Sequence, residues 1–180
     1  ITFILIFNIG FVWYLNLNNK YESHAKEDVI ILDKTSLHSF ISNENSKRRH
    51  FGLDKIIEIP TGIIIEKMKI IDSYNIGISG WIWQKYPKNS PIEPKIHFPQ
   101  LSPFAEANYL ELFSTEEKDD YTLIKWKFRS TFIFNFKYLK YPFNTKTVKL
   151  KITHPDYTNN VLFTPDITAY ETLNPSTLPG

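Results

Sequence analysis

GIIIEKMKIIDSYNIGISGWIWQKY, Gly62 to Tyr86, reads as a β-hairpin and decides the fold class. Gly62 to Asp72 is a long strand, with Glu66, Lys67 and Lys69 marking its wet positions. Ser73-Tyr-Asn75 makes the turn, and Ile76 to Tyr86 is the returning strand. Side chains alternate across a strand, so Trp81 and Trp83 share one face, while Ile78, Gly80, Ile82 and Gln84 share the other. Two tryptophans on one face form a broad aromatic wall. Such a wall either closes a sheet face by packing or offers a small ligand a stacking and cation–π surface.

Outward from the hairpin the chain continues in short strands. Tyr86 to Pro103 is a proline-rich loop with one short strand, Lys95 to Phe98. Tyr109 to Phe113 is another strand, and Thr115-Glu-Glu-Lys-Asp-Asp120 is an acidic hairpin tip. Those carboxylates could meet Ca²⁺, but they lack EF-hand spacing and a glycine to bend the loop, which fits a solvated tip. Tyr121 to Phe136 is the longest strand pair, with Trp126 and Phe128 facing in and Lys125, Lys127 and Arg129 facing out. Asn160 to Phe163 adds a strand, and Thr164 to Tyr170 an ordered closing loop. Many short strands with turn signals and almost no helix predict an all-β, antiparallel, twisted β-sandwich.

Between these strands lies Tyr141-Pro-Phe-Asn-Thr-Lys-Thr-Val-Lys-Leu-Lys-Ile152. Val148, Leu150 and Ile152 alternate with Lys149, Lys151 and Thr153, the pattern of a half-buried strand. Pro142 fixes its own φ and holds Tyr141 extended, so Tyr141 to Asn144 is a stiff apolar corner. A corner of this kind either packs on its own core or touches a partner.

This corner resembles the aromatic-Pro-Phe-Asp-x-Gln signature of pentameric ligand-gated ion channels. Tyr141, Pro142 and Phe143 match, while Asn144 stands for the family's Asp and Lys146 for its Gln. The family's animal members close this loop with two cysteines, which would fall at Phe134 and Val148; its prokaryotic members lack them, as does this cysteine-free chain. The hairpin Ile63 to Tyr86 looks like that family's first two strands, and His97-Phe-Pro99 resembles its aromatic-x-Pro loop. The resemblance covers roughly Ile59 to Asp166. It implies a ligand pocket at the side of the sandwich, between neighbours in a ring, with Trp81, Trp83, Phe98, Tyr109, Trp126 and Arg129 as candidate ligand-binding residues. It also implies a coupling loop, Tyr141 to Asn144, that passes the binding signal to membrane helices.

Ile1 to Leu17 (ITFILIFNIGFVWYLNL) carries no charge, near the minimum length for a membrane span, with Trp13 and Tyr14 near its end like interfacial aromatics. It predicts a retained transmembrane anchor. The competing reading is a signal peptide, for which Ser23-His-Ala25 is a poor cleavage site. Either way the remainder is exported. Asn18 to Lys55 is a polar approach segment holding a strand candidate at Asp28 to Leu32 and a helical turn at Ser36 to Ser42. Its basic cluster, Lys47-Arg-Arg-His50, is either a solvated loop or a contact for anionic lipid. The sandwich occupies residues 56–180. Ile1 in place of Met and the Leu-Pro-Gly at the other end suggest a piece of a longer protein.

With 180 residues there is room for one domain with a real core. A net charge of +2 gives no electrostatic case for nucleic acid as a partner. The absence of cysteine excludes disulfides, thiolate metal sites and a cysteine nucleophile. No phosphate loop, nucleophile elbow or zinc-protease motif is present, and the histidines (His24, His38, His50, His97, His154) are scattered, so neither enzyme, metal nor cofactor is expected. The expected function is a small-molecule-sensing domain on the periplasmic or extracellular side of a bacterial inner membrane. The alternatives are a subunit of a pentameric channel, which would be a homo-oligomer, and an exported carbohydrate- or protein-binding sandwich.

Overall fold

A computed structural model describes residues 2–18, 29–88, 90–103, 105, 108–136, 147–156 and 160–170. The Tyr141–Asn144 corner, the Asp28 end of the first strand candidate and Ser23 to Ala25 lie outside them. The chain divides into two compact units, one holding the N-terminal helix and the other the sheet.

The N-terminal unit contains α1, Thr2–Asn18. Its described side chains from Phe3 to Leu15 are exposed, Phe7 and Phe11 stack at 6.2 Å, and Asn8 donates its amide to the Ile4 carbonyl at 2.7 Å. Its 17 residues rise roughly 25 Å, against about 30 Å of bilayer hydrocarbon. Among the described residues no helix is long and apolar enough to cross a membrane.

The second unit is mostly β: β1 Ile57–Ile70, β2 Asn75–Pro87, β3 Tyr109–Glu117, β4 Tyr121–Ile133 and β5 Val161–Pro165 form one five-stranded sheet in the order β3-β4-β2-β1-β5. The hairpin read from Gly62 to Tyr86 is β1 and β2, with Ile63 opposite Ile82 and Ile70 opposite Ile76. Asp72 holds its turn by accepting the backbone N–H groups of Tyr74 and Asn75. The sheet is mixed rather than antiparallel throughout, because β5 runs parallel to β1, with Ile59 beside Phe163. The long connection from Ile133 to Val161 permits this, since a parallel pair needs a crossover and not a tight turn.

One face carries the core. Ile78, Ile82, Gln84 and Tyr86 of β2 and Ile124, Phe128 and Phe132 of β4 are buried there. Phe98, from the proline-rich loop, packs on Phe128 and Phe132 at 5.5 and 5.2 Å. Among the described residues the layer over this face is irregular. Lys95 to Phe98 forms a single bridge, His97 with Thr153, and Val148 to Ile152 does not join the ladder. Its alternation survives as burial: Val148, Leu150 and Ile152 are half-buried, Lys149 and Lys151 exposed. Its neighbour is the proline-rich loop, and proline cannot donate to a ladder.

The polar approach segment holds a helix where only a turn was expected, and Val29 to Leu32 form no strand. Helix α2, Lys34–His50, starts at a capping box in which Asp33 accepts the Ser36 N–H at 2.7 Å and Ser36 Oγ accepts the Asp33 N–H. It ends in a Schellman turn: Gly52, at φ 68°, donates to Arg49, and Leu53 donates to Arg48 at 2.9 Å. The basic cluster is its last turn, where cations complement the helix dipole. Arg48 also reaches the Asn160 side chain, beside β5.

Candidate functional site

Strand β2 presents two different surfaces. Trp81 and Trp83 share the face opposite the core, as the alternation predicts, and both are half-buried. Trp81 Nε1 donates to Glu66 at 2.6 Å, Phe113 meets the ring edge-on at 4.8 Å, and the Lys127 ammonium sits 5.1 Å from its centroid. Alternation along β3 puts Phe113 on this face with Glu111, beside the register shift between Leu112 and Ser114. Trp83 lies over Gly62, where a Cβ would sit 1.9 Å from its ring, and tilts against Tyr170 at 5.6 Å. Its Nε1 donates to Asp166 Oδ2 at 2.9 Å.

Asp166 is the polar hub of this face. Its carboxylate also takes Lys85 Nζ at 2.7 Å and the Thr168 hydroxyl at 2.9 Å, and its N–H donates to the Thr61 carbonyl. Burial pushes this carboxyl up, but hydrogen bonds from Lys85, Trp83 and Thr168, with the Lys85 charge, together outweigh it and hold the group below the usual carboxylate range. Tyr170 extends the clamp by donating to the Ile63 carbonyl at 3.1 Å and accepting the Ile63 N–H at 2.7 Å. The two tryptophans are therefore engaged by intramolecular partners.

The core face offers room instead. A cavity of about 380 Å³ opens beside Trp126. Ile124, Trp126 and Thr122 of β4 form its floor, Tyr86 and Pro87 of β2 one wall, and Leu112 and Thr115 of β3 another. Ser90, Ile92 and Pro94 of the proline-rich loop cover it. The cover is pinned from behind. His154 Nδ1 accepts the Asp156 N–H at 3.2 Å, which leaves the proton on Nε2 to donate to the Glu93 carbonyl at 3.0 Å. The Lys95 backbone hydrogen-bonds the Tyr86 phenol, whose pKa burial pushes up to about 12, so the phenol stays neutral. Trp126 Nε1 and the Tyr86 hydroxyl both donate to Gln84 Oε1, at 2.9 and 3.3 Å. Gln84 is fully buried, and its Nε2 has no partner.

No protein-family model matches this chain, and no curated protein matches it.

The candidate ligand-binding residues separate between the two faces. Trp81, Trp83, Tyr109 and Arg129 lie on the face opposite the core, with Tyr109 directly across from Arg129 in the β3–β4 register. Trp126 and Phe98 lie on the core face, because Trp126 pairs with Ile82 while Trp83 pairs with Lys125. One ligand therefore cannot stack on Trp83 and Trp126 of the same chain. Of the six, only Trp126 lines the cavity. Sequence reasoning passed over Tyr86, Ile92 and Gln84 as site residues. A glutamine at an inward position of an apolar strand was the one available signal, since a buried amide needs partners. Among the described residues no cluster of metal-ligating side chains forms.

Proposed function

We propose that this chain is the small-molecule-sensing domain of a bacterial membrane receptor. In this reading α1 anchors it, the sheet is one half of a β-sandwich held on the periplasmic side, and ligand enters the Trp126 cavity. The cavity carries the proposal. It is concave, largely apolar and lined by a few hydroxyl groups, which is the usual make-up of a small-molecule site.

The end of the hairpin supports a signalling role. Ile70, Ile71 and Tyr74 are exposed there, Ile70 by 75%. The Tyr74 carbonyl accepts the Phe134 N–H at 2.7 Å, which ties this apolar tip to the segment leading into Tyr141 to Asn144. That corner is the part of the chain most similar to the coupling loop of pentameric channels. A tip bonded to Phe134, upstream of that corner in the chain, could pass on a change in sheet packing, provided ligand prefers one packing over the other. A second reading, a pentameric channel subunit, draws on the exposed Ile64, Ile65 and Met68 of β1, beyond the point where β5 stops pairing. Such a strip suits a neighbouring subunit.

Two measurements test the proposal. A reporter fused after residue 180 should give phosphatase activity, the sign of an exported domain, and no cytoplasmic fluorescence. A thermal-shift screen of uncharged metabolites should give hits that a cavity-filling Thr115→Trp variant loses. Cytoplasmic fluorescence alone, or hits indifferent to that variant, would sink the proposal.

A further inference from the structure

The chemistry of the Trp126 cavity narrows what it can hold. Its lining contains no charged side chain among the described residues. On the covering loop, Glu93 and Lys95, which flank the lining Pro94, are paired with each other at 2.5 Å. Lys125 is on the opposite face and bound to Glu116 at 2.6 Å. A carboxylate or ammonium inside the cavity would therefore shed water with no counter-charge among the lining residues, which is costly.

The polar atoms point the same way. Trp126 and Tyr86 already spend their donors on Gln84, so they offer a visitor mainly ring surface. What remains are the hydroxyls of Ser90, Thr115 and Thr122, each able to donate or accept. Ser90 Oγ accepts the Ile92 N–H at 3.3 Å, which holds it in the cover. Leu112, Ile124 and Ile92 complete an apolar slot over the indole.

We infer that the cavity binds a small uncharged molecule of one or two rings, lying on Trp126 with a hydroxyl or carbonyl group bonded to the Ser90, Thr115 or Thr122 hydroxyl. This rests on the reading of the chain as a sensing domain. Its volume lies within the range of small-molecule sites.

Three probes of one shape test it on the full chain: tryptophol (neutral), indole-3-acetate (anion) and tryptamine (cation). The readout is the Trp126 indole N–H resonance, assigned by its loss in Trp126→Phe. Tryptophol should shift it saturably, with the two charged probes at least about 30-fold weaker. Thr115→Trp should remove the response; position 115 is exposed on β3 and tolerates a large side chain. Charged probes that bind as tightly as tryptophol, and are still lost in Thr115→Trp, overturn the inference but leave the site standing. No shift with any probe, or a shift that survives Thr115→Trp, overturns the site and the inference together.

Discussion

Asp166→Asn should cost this domain a large share of its stability, and the cost should depend on pH. Asp166 is buried and joins three donors: Lys85 at 2.7 Å, Trp83 at 2.9 Å and Thr168 at 2.9 Å. Asparagine keeps one acceptor oxygen. Its amide nitrogen then faces either the Lys85–Trp83 pair or Thr168, so at least one donor loses its partner. A hydrogen bond to a charged group contributes about 1.5–3 kcal/mol, and breaking a buried ion pair costs about 3–5 kcal/mol. Lys85 is 23% exposed, which screens part of this, so a loss of about 2–4 kcal/mol is expected. In a domain of this size that corresponds to a fall in Tm of roughly 4–16 °C. The carboxyl is held below its unfolded value of about 3.9. Its contribution is therefore present above that value and is lost as pH falls through the lower folded one. Urea denaturation of both proteins at pH 7, and again between pH 5 and 2, measures this. The gap should be full at pH 7 and shrink below about pH 4. A variant within about 0.5 kcal/mol of the parent at pH 7, with an unchanged pH profile, would refute the clamp.

Further variants probe the same architecture. Trp83→Ala should lower stability by about 2–4 kcal/mol, because the ring covers Gly62, packs on Tyr170 and binds Asp166; a fully stable variant in thermal melts would show the ring to be idle. Gly80→Ala should destabilise by about 2 kcal/mol or more, since its Cβ would lie 2.1 Å from the Ile64 carbonyl oxygen at the β1 bulge. An unchanged Tm would mean that the strands separate there at no cost. His154→Phe keeps a ring against Phe163 but drops the bond to Glu93 that pins the cover, and the bond from the Asp156 N–H that orients the imidazole. It should cost about 1–3 kcal/mol in urea melts and weaken tryptophol binding, whereas unchanged binding would detach the cover from the site.

The local signals in the chain were legible. Alternation located both arms of the hairpin, put Trp81 and Trp83 on one face, and sent Phe128 into the core. What stayed hidden depends on contacts distant in sequence. Gly62 to Tyr86 does not reveal that Asp166 will reach Trp83, because that contact requires β5 to dock parallel to β1. The same docking decides that Trp83 is clamped, whereas Trp126 borders a cavity because the proline-rich loop covers the other face. Helix α2 escaped for another reason: its apolar residues are few, and its strongest signals are terminal, in the Asp33–Ser36 box and Gly52. The Val148 to Ile152 pattern did report burial, but burial of alternate side chains does not ensure a ladder when the neighbouring segment is rich in proline.

The most direct test of the account asks which tryptophan a bound ligand touches. 4-Bromobenzyl alcohol, a neutral probe whose bromine quenches indole fluorescence on contact, should be titrated into the parent chain, Trp126→Phe and Trp83→Phe. Saturable quenching is expected, removed by Trp126→Phe and retained in Trp83→Phe. Quenching lost with Trp83 and kept without Trp126 would place the site on the opposite face and contradict the account.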